Sequence, residues 1–249
     1  KSIEYESRDI ALYDIRVNAD NEIFRQADTQ EDIVQLAEDI QRNGLMHNLV
    51  VFPEQEEGSA VYVLLSGERR FRALNYLQEK GDATWNIVNC NVVTTPLTEN
   101  EKKVLLYSAN LQVRGGFSDE AIRRQAIAEF ITCLQREPYN MSREEALNAT
   151  KIVSTVNPRT IERDARIEEK LKGKLKTLLN DKFLTRSECE TYLRFEADKQ
   201  DEIANRFEKL QAVDCHSDDT ESAGKNYVEV LRDTLHDAFR ELLYDAQRQ

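Results

Sequence analysis

The segment Tyr62-Val63-Leu64-Leu65-Ser66-Gly67-Glu68-Arg69-Arg70-Phe71-Arg72-Ala73 leaves this chain few options. Four apolar residues in a strand run into a small residue and a glycine, and a helix begins at once. The first N–H groups of a helix lack carbonyl partners and carry partial positive charge, so an anion docks there. Gly67 lets that backbone approach closely, and Arg69, Arg70 and Arg72 add three permanent cations whose planar forks match phosphate oxygens. Phe71, Leu74 and Leu77 give the helix an apolar side that anchors it. Residues 1–100 carry a net charge of −9, so three clustered arginines read as a phosphate site rather than as a solvated basic face.

The neighbouring pattern makes residues 1–97 a small mixed α/β domain. Tyr13 to Val17 is expected to be extended, and Asn18-Ala19-Asp20-Asn21 a polar turn. Thr29 with Asp32 three residues on marks a helix start; Ile33, Leu36, Ala37 and Ile40 share one face of that helix, and Gly44 stops it. Leu49 to Phe52 and Val61 to Leu65 read as strands around an acidic turn from Pro53 to Ser59. Glu68 to Lys80 reads as a helix and Ile87 to Val93 as a strand.

After Thr98 the strand signal disappears. Residues 98–137 are expected to hold two linking helices, Glu99 to Leu111 and Ser118 to Arg136, the second capped by Ser118. Residues 138–215 read as a further helical domain. Ser142 with Glu145 forms a capping box, Asn157-Pro158 opens the next helix, and others cover Lys170–Asn180, Arg186–Phe195 and Asp201–Leu210. In 216–249 a polar linker, Ser217 to Gly224, precedes an amphipathic helix with Tyr227, Leu231, Leu235, Phe239 and Leu242 on one stripe. That stripe suits core packing and dimerisation equally. The fold class expected is α+β, a mixed α/β domain followed by an all-α one.

Within the 249 residues no apolar run approaches the roughly 20 needed to span a bilayer, which excludes an integral helical membrane protein. The first residue is Lys rather than Met, so the sequence is expected to start inside a longer reading frame. Cys90, Cys133, Cys189 and Cys215 show no zinc-knuckle or dithiol spacing, and free thiols in a reducing cytoplasm follow. His47, His216 and His236 make no ligand cluster. A net charge of −12 argues against nucleic acid as a partner, yet residues 141–185 alone carry +3.

Gly67-Glu68-Arg69-Arg70-Phe71-Arg72-Ala73 resembles the GERRxRA box of the ParB family of chromosome and plasmid partition proteins. Leu36 to Ile40 and Gly44 to Val51 look like that family's LAxSIxxxGxxxPlvV segment. Ser108-Ala109-Asn110-Leu111-Gln112-Val113-Arg114 looks like its ENxQR box, and Phe117 to Ala121 like the LxPxE stretch. The set runs in the family's order over roughly residues 10–210. The resemblance implies a ParB/sulfiredoxin-like domain that binds CTP with Mg²⁺, in a homodimeric clamp closing around DNA. It places nucleotide contacts at Gly44, Leu45, His47, Ser66, Gly67, Glu68, Arg69, Arg70, Asn110 and Arg114, with Asn110 also near the metal. Ala109 replaces a Glu that helps organise the cation, His47-Asn48 replace Gln-Pro, Phe52 replaces an Arg, and Val113 stands where the box has its Arg. Losing a carboxylate removes a hard ligand for Mg²⁺. The resemblance therefore implies binding with slow or absent hydrolysis, at most a slow CTPase. It also implies a cytoplasmic, nucleoid- or plasmid-associated location and a partition ATPase as partner.

Ser142 to Ile167 resembles the family's helix-turn-helix. Independently of that, Ile161 and Ala165 fall on one face of a helix while Arg159, Thr160, Arg163 and Arg166 project from another, which suits a major groove. Ser154, Asn157 and Lys151 join the DNA-contact set, with Arg143, Lys170, Lys172, Lys174 and Lys176 as further phosphate contacts. Glu162 and Asp164 run against that charge, and Asp164 is expected to point sideways. Two other functions remain open. One is a phosphotransferase of the free-serine-kinase type with Glu68 as base. The other is a DNA-binding transcriptional or assembly adaptor without the nucleotide switch. A sulfiredoxin is excluded, since its motif needs a Cys where Glu68 stands.

Overall fold

The computed structural model describes residues 2–25, 28–56, 59–113, 119–214 and 237. The chain divides into two units, Lys1–Ile161 and Glu162–Gln249. The linker and final helix expected within 216–249, and Arg114 and Ser118, lie outside the described residues.

The first unit opens with β1 (Tyr5–Ala11), a 3₁₀ turn at Leu12–Asp14 and β2 (Ile15–Arg16). A second 3₁₀ turn at Ala19–Asn21 leads into α1 (Glu22–Arg25) and α2 (Gln30–Asn43). β3 (Leu49–Glu56), β4 (Ser59–Ser66), α3 (Glu68–Glu79) and β5 (Ile87–Val93) complete the mixed region. The five strands form one sheet in the order β1-β5-β3-β4-β2. β1–β5 and β3–β4 are antiparallel, β3–β5 and β4–β2 parallel.

Successive strand residues point to opposite faces, and both faces are covered. On one, Val51, Leu64 and Val92 meet Ile33, Ala37 and Ile40 of α2 and Phe71, Leu74 and Leu77 of α3. On the other, Phe52, Leu65 and Val93 meet Leu97 and Leu105. That second face is closed by α4 (Glu99–Val113), followed by α5 (Glu120–Gln135) and α6 (Arg143–Val153). Ile127, Phe130 and Ile131 of α5 and Ala146 and Thr150 of α6 are buried.

α7 (Pro158–Lys170) contains the division between the units. In the second unit follow α8 (Gly173–Asn180), α9 (Arg186–Tyr192) and α10 (Ala197–Asp214). Their core is Ile167, Leu171, Leu175, Leu179, Leu184, Tyr192 and Ile203. Gln200, 2% exposed, donates to the carbonyls of Lys170 and Phe195 at 3.0 and 2.9 Å and accepts from the Lys172 N–H at 2.9 Å. It satisfies the backbone where α7 gives way to α8.

Several local expectations need correction. Pro53 is no turn: β3 continues to Glu56, because β5 pairs only with Leu49–Val51 and Pro53 falls where the strand has a single neighbour. Tyr13 and Asp14 lie in or end a 3₁₀ turn rather than a strand. Asp119 caps α5, its carboxylate accepting from the N–H groups of Ala121 and Ile122 at 2.7 and 3.2 Å. Lys170–Asn180 is not one helix. Lys172 caps the second piece with φ −120°, and Gly173 takes φ +50° where a Cβ would lie 2.4 Å from Asp201 Oδ1. α9 stops at Tyr192 rather than Phe195, and α10 is longer than Asp201–Leu210 at both ends. β1 escaped the sequence reading because five of its seven residues are exposed, leaving little apolar alternation.

Candidate functional site

Gly67 ends β4 in the left-handed region, φ 101° and ψ 22°, and caps α3. A Cβ there would lie 2.8 Å from Leu49 Cδ2 and 3.1 Å from Arg70 Nη2, so only glycine fits. Its carbonyl accepts from the Phe71 N–H at 2.9 Å, and no side chain caps the amides of the first turn. Those amides are the expected anion donors.

The three arginines diverge in use. Arg69 Nε and Arg72 Nη1 pair with Asp28 at 3.2 and 3.5 Å. Arg70 instead donates through Nη1 to the carbonyls of His47 and Asn48, the latter at 3.0 Å. Burial lowers its pKa from the ordinary arginine value, and no carboxylate within salt-bridge range offsets it among the described residues. Arg70 thus ties the segment Gly44–Asn48 to α3 while its charge stays uncompensated. Gly44, at φ 80°, ends α2 with open space around it. Leu45 packs on the core, His47 is exposed, and Ser66 pairs with Val50 at the strand end.

Glu68 is 8% exposed and accepts from Asn21 Nδ2 and Arg25 Nε. Asn110 Nδ2 donates in turn to Asn21 Oδ1 at 3.2 Å and to the Leu106 carbonyl at 2.9 Å. A chain Asn110–Asn21–Glu68–Arg25 therefore joins α4, the 3₁₀ turn, α3 and α1. The carboxylate expected to act as a base is already engaged by two donors. Asn21, Arg25 and Asp28 were not among the expected site residues, whereas Asn48 ends the loop, Gly44 to Asn48, expected to hold the base and ribose. Asn21 lies 47 residues from Glu68 and 89 from Asn110, and a polar turn in sequence carries no sign of such partners.

The site offers, among the described residues, donors for an anion rather than a ligand set for a metal. Among the described residues no group of three His, Cys, Asp or Glu converges. Ala109 offers no ligand, Glu68 is engaged as above, and the nearby Asp20 pairs with Lys103 at 2.9 Å. Were a magnesium ion bound with a nucleotide, Asn110 is the residue that the resemblance places near it.

On α7, Asn157 Oδ1 accepts from the Arg159 N–H at 2.9 Å, the cap expected there. Ile161 and Ala165 are buried as expected. Arg159 is exposed and Thr160 half-buried. Ser154 closes α6, its N–H donating to the Thr150 carbonyl at 2.9 Å and its hydroxyl accepting from the Val156 N–H at 3.1 Å. Lys151 reaches Asn148 Oδ1 at 3.4 Å. Asp164 is fully buried, with Arg186 Nη1 3.5 Å away, so its charge does not face outward with the arginines of α7. Arg163 forks onto Glu190 of α9, Nε to Oε1 at 3.1 Å and Nη2 to Oε2 at 3.2 Å, and Arg166 Nη2 joins at Oε1. Burial would raise the Glu190 pKa, but the two guanidiniums outweigh it and hold the carboxyl below its usual range. Of the lysine series, Lys176 pairs with Glu168 and Lys174 donates to Asn205 Oδ1 at 2.9 Å.

A small mixed sheet with a strand–glycine–helix anion turn defines the class of domain seen in the first unit. Residues 2–101 match the family model of the ParB N-terminal domain. Among solved structures, the C2221 form of a pNOB8-like ParB-N domain is 12% identical, with 98% of each chain covered and a TM-score of 0.53. Another pNOB8-like ParB N-domain structure is 13% identical, covering 98% of this chain and 91% of that one, at 0.52. The C-terminally truncated partitioning protein ParB from Caulobacter crescentus, complexed with CTP-gamma-S, is 20% identical over 80% and 97% at only 0.34. Comparison with curated proteins gave no match.

Proposed function

We propose that this chain is a nucleotide-dependent DNA-binding protein of the ParB type, a homodimeric clamp acting in DNA partition or in plasmid and mobile-element maintenance. The observation that carries the reading is the uncompensated Arg70 beside the uncapped first turn of α3, a cation and a set of free amides on one glycine-cradled turn. The ligand is a nucleoside triphosphate, CTP by family resemblance, with Mg²⁺ on its phosphates. The base and ribose are expected against the loop Gly44 to Asn48, and Arg114 is the further nucleotide contact that the resemblance implies. Nucleotide shifts an equilibrium only by preferring one arrangement of the elements it touches. The Asn110–Asn21–Glu68 chain supplies a route from α3 to α4 for that preference.

The chain's own residues orient the phosphates and balance their charge. With Glu68 engaged and Ala109 in place of a carboxylate, they favour binding over hydrolysis. The same engagement of Glu68 counts against a phosphotransferase that uses it as a base. DNA is met through α7, with Arg159 as the side chain most available for a base edge.

Isothermal titration with CTP, ATP, GTP and UTP in the presence of Mg²⁺ tests the reading. CTP is expected to bind, and Arg70→Ala to weaken it about 10- to 100-fold, the worth of a charge-assisted contact of about 1.5–3 kcal/mol. Failure of all four nucleotides leaves the adaptor reading in its place.

A further inference from the structure

Glu190 draws three N–H donors from two arginines of the DNA-facing helix onto one carboxylate. Both Glu190 oxygens meet the Arg163 fork, and Arg166 closes on one of them. Guanidinium forks grip a phosphate in the same way. Arg159, earlier on α7, has no carboxylate partner among the described residues. The helix therefore carries one free arginine and two already holding an anion. Glu190 is 27% exposed, so it can be re-solvated if another anion takes its place.

Resting on the DNA-binding reading above, we propose that Glu190 is a resident competitor for the DNA backbone and so a specificity-determining residue. It occupies Arg163 and Arg166 in the free protein and withholds them from any passing phosphate. A duplex that makes only backbone contacts gains little by displacing a carboxylate of nearly equal grip. A duplex whose base edges are also met along α7 has the surplus to do so. Mispairing is discouraged by an internal anion, and correct pairing releases two cations.

The test is non-specific duplex binding by the full chain, measured as a function of salt. Glu190→Gln keeps the shape and removes the charge. Its affinity for a random-sequence duplex is expected to rise several-fold at low salt. Its log K against log[salt] slope is expected to steepen by about 0.9, because the one carboxylate charge no longer offsets one of the two guanidiniums. Asp198→Asn, an exposed change of equal charge on α10, should leave the slope unchanged. Placing Arg163→Gln in the Glu190→Gln background should remove the gain, and thermal melts of each variant verify folding. An unchanged slope in Glu190→Gln overturns the proposal while leaving the DNA reading standing. Weaker binding overturns it too and makes Glu190 a brace for the arginines. If no form of the protein binds duplex even at low salt, the DNA reading falls and takes this inference with it.

Discussion

Gly67 is under two independent constraints, a positive φ of 101° and a Leu49 methyl 2.8 Å from where a Cβ would be. Gly67→Ala should therefore lose about 2 kcal/mol or more in urea denaturation and lose nucleotide binding with it. A variant of unchanged stability would show that the turn relaxes at no cost. Glu68 belongs to the same turn but acts through its neighbours. Glu68→Gln presents an amide to the Arg25 donor and should cost about 1–2 kcal/mol, discounted because Arg25 is partly exposed. The glycine and arginines were legible in sequence because the chemistry is local: strand, turn and first helical residues are consecutive. Asn21, Arg25 and Asp28 were not, since they reach α3 from a turn and a short helix some 40 residues away.

Helix starts were the most readable elements, because a cap and its partner lie three residues apart. Thr29–Asp32 and Ser142–Glu145 both form reciprocal boxes, as Thr185–Glu188 does on α9. Hydrogen bonds from Thr29 and Ser142 hold the Asp32 and Glu145 carboxyls below their usual pKa. A group whose folded pKa is depressed stabilises above its unfolded pKa and loses that contribution as pH falls through the folded value. Thr29→Ala should thus cost about 1 kcal/mol near neutral pH. The gap from wild type should close as the solution is acidified below the carboxylate range. A gap independent of pH would place the loss in the hydroxyl alone. Glu190 obeys the same sign, so its hold on Arg163 and Arg166 weakens in acid. Helix ends were harder to read: the break before Gly173 is bridged by Gln200, which reaches the Lys170 carbonyl and the Lys172 N–H from α10.

At the scale of the whole chain, acidic stretches flank in sequence the two segments where cations gather. The net charge of −12 should make non-specific duplex binding weak and salt-sensitive, and tight sequence-independent binding at physiological salt would contradict this. The α+β class could be read from the loss of strand pattern after Thr98, whereas the sheet order could not, because pairing partners are set by distant chain segments. One such pairing bears on how the protein is made. Tyr5 of β1 pairs with Val93 of β5, so the earliest strand finds its neighbour only after nearly ninety further residues have been added. At about 5–20 residues per second on the ribosome, β1 waits roughly 4–18 s without that partner. Its charged, mostly exposed sequence suits the wait, since Glu6, Arg8 and Asp9 discourage it from joining another nascent chain's edge.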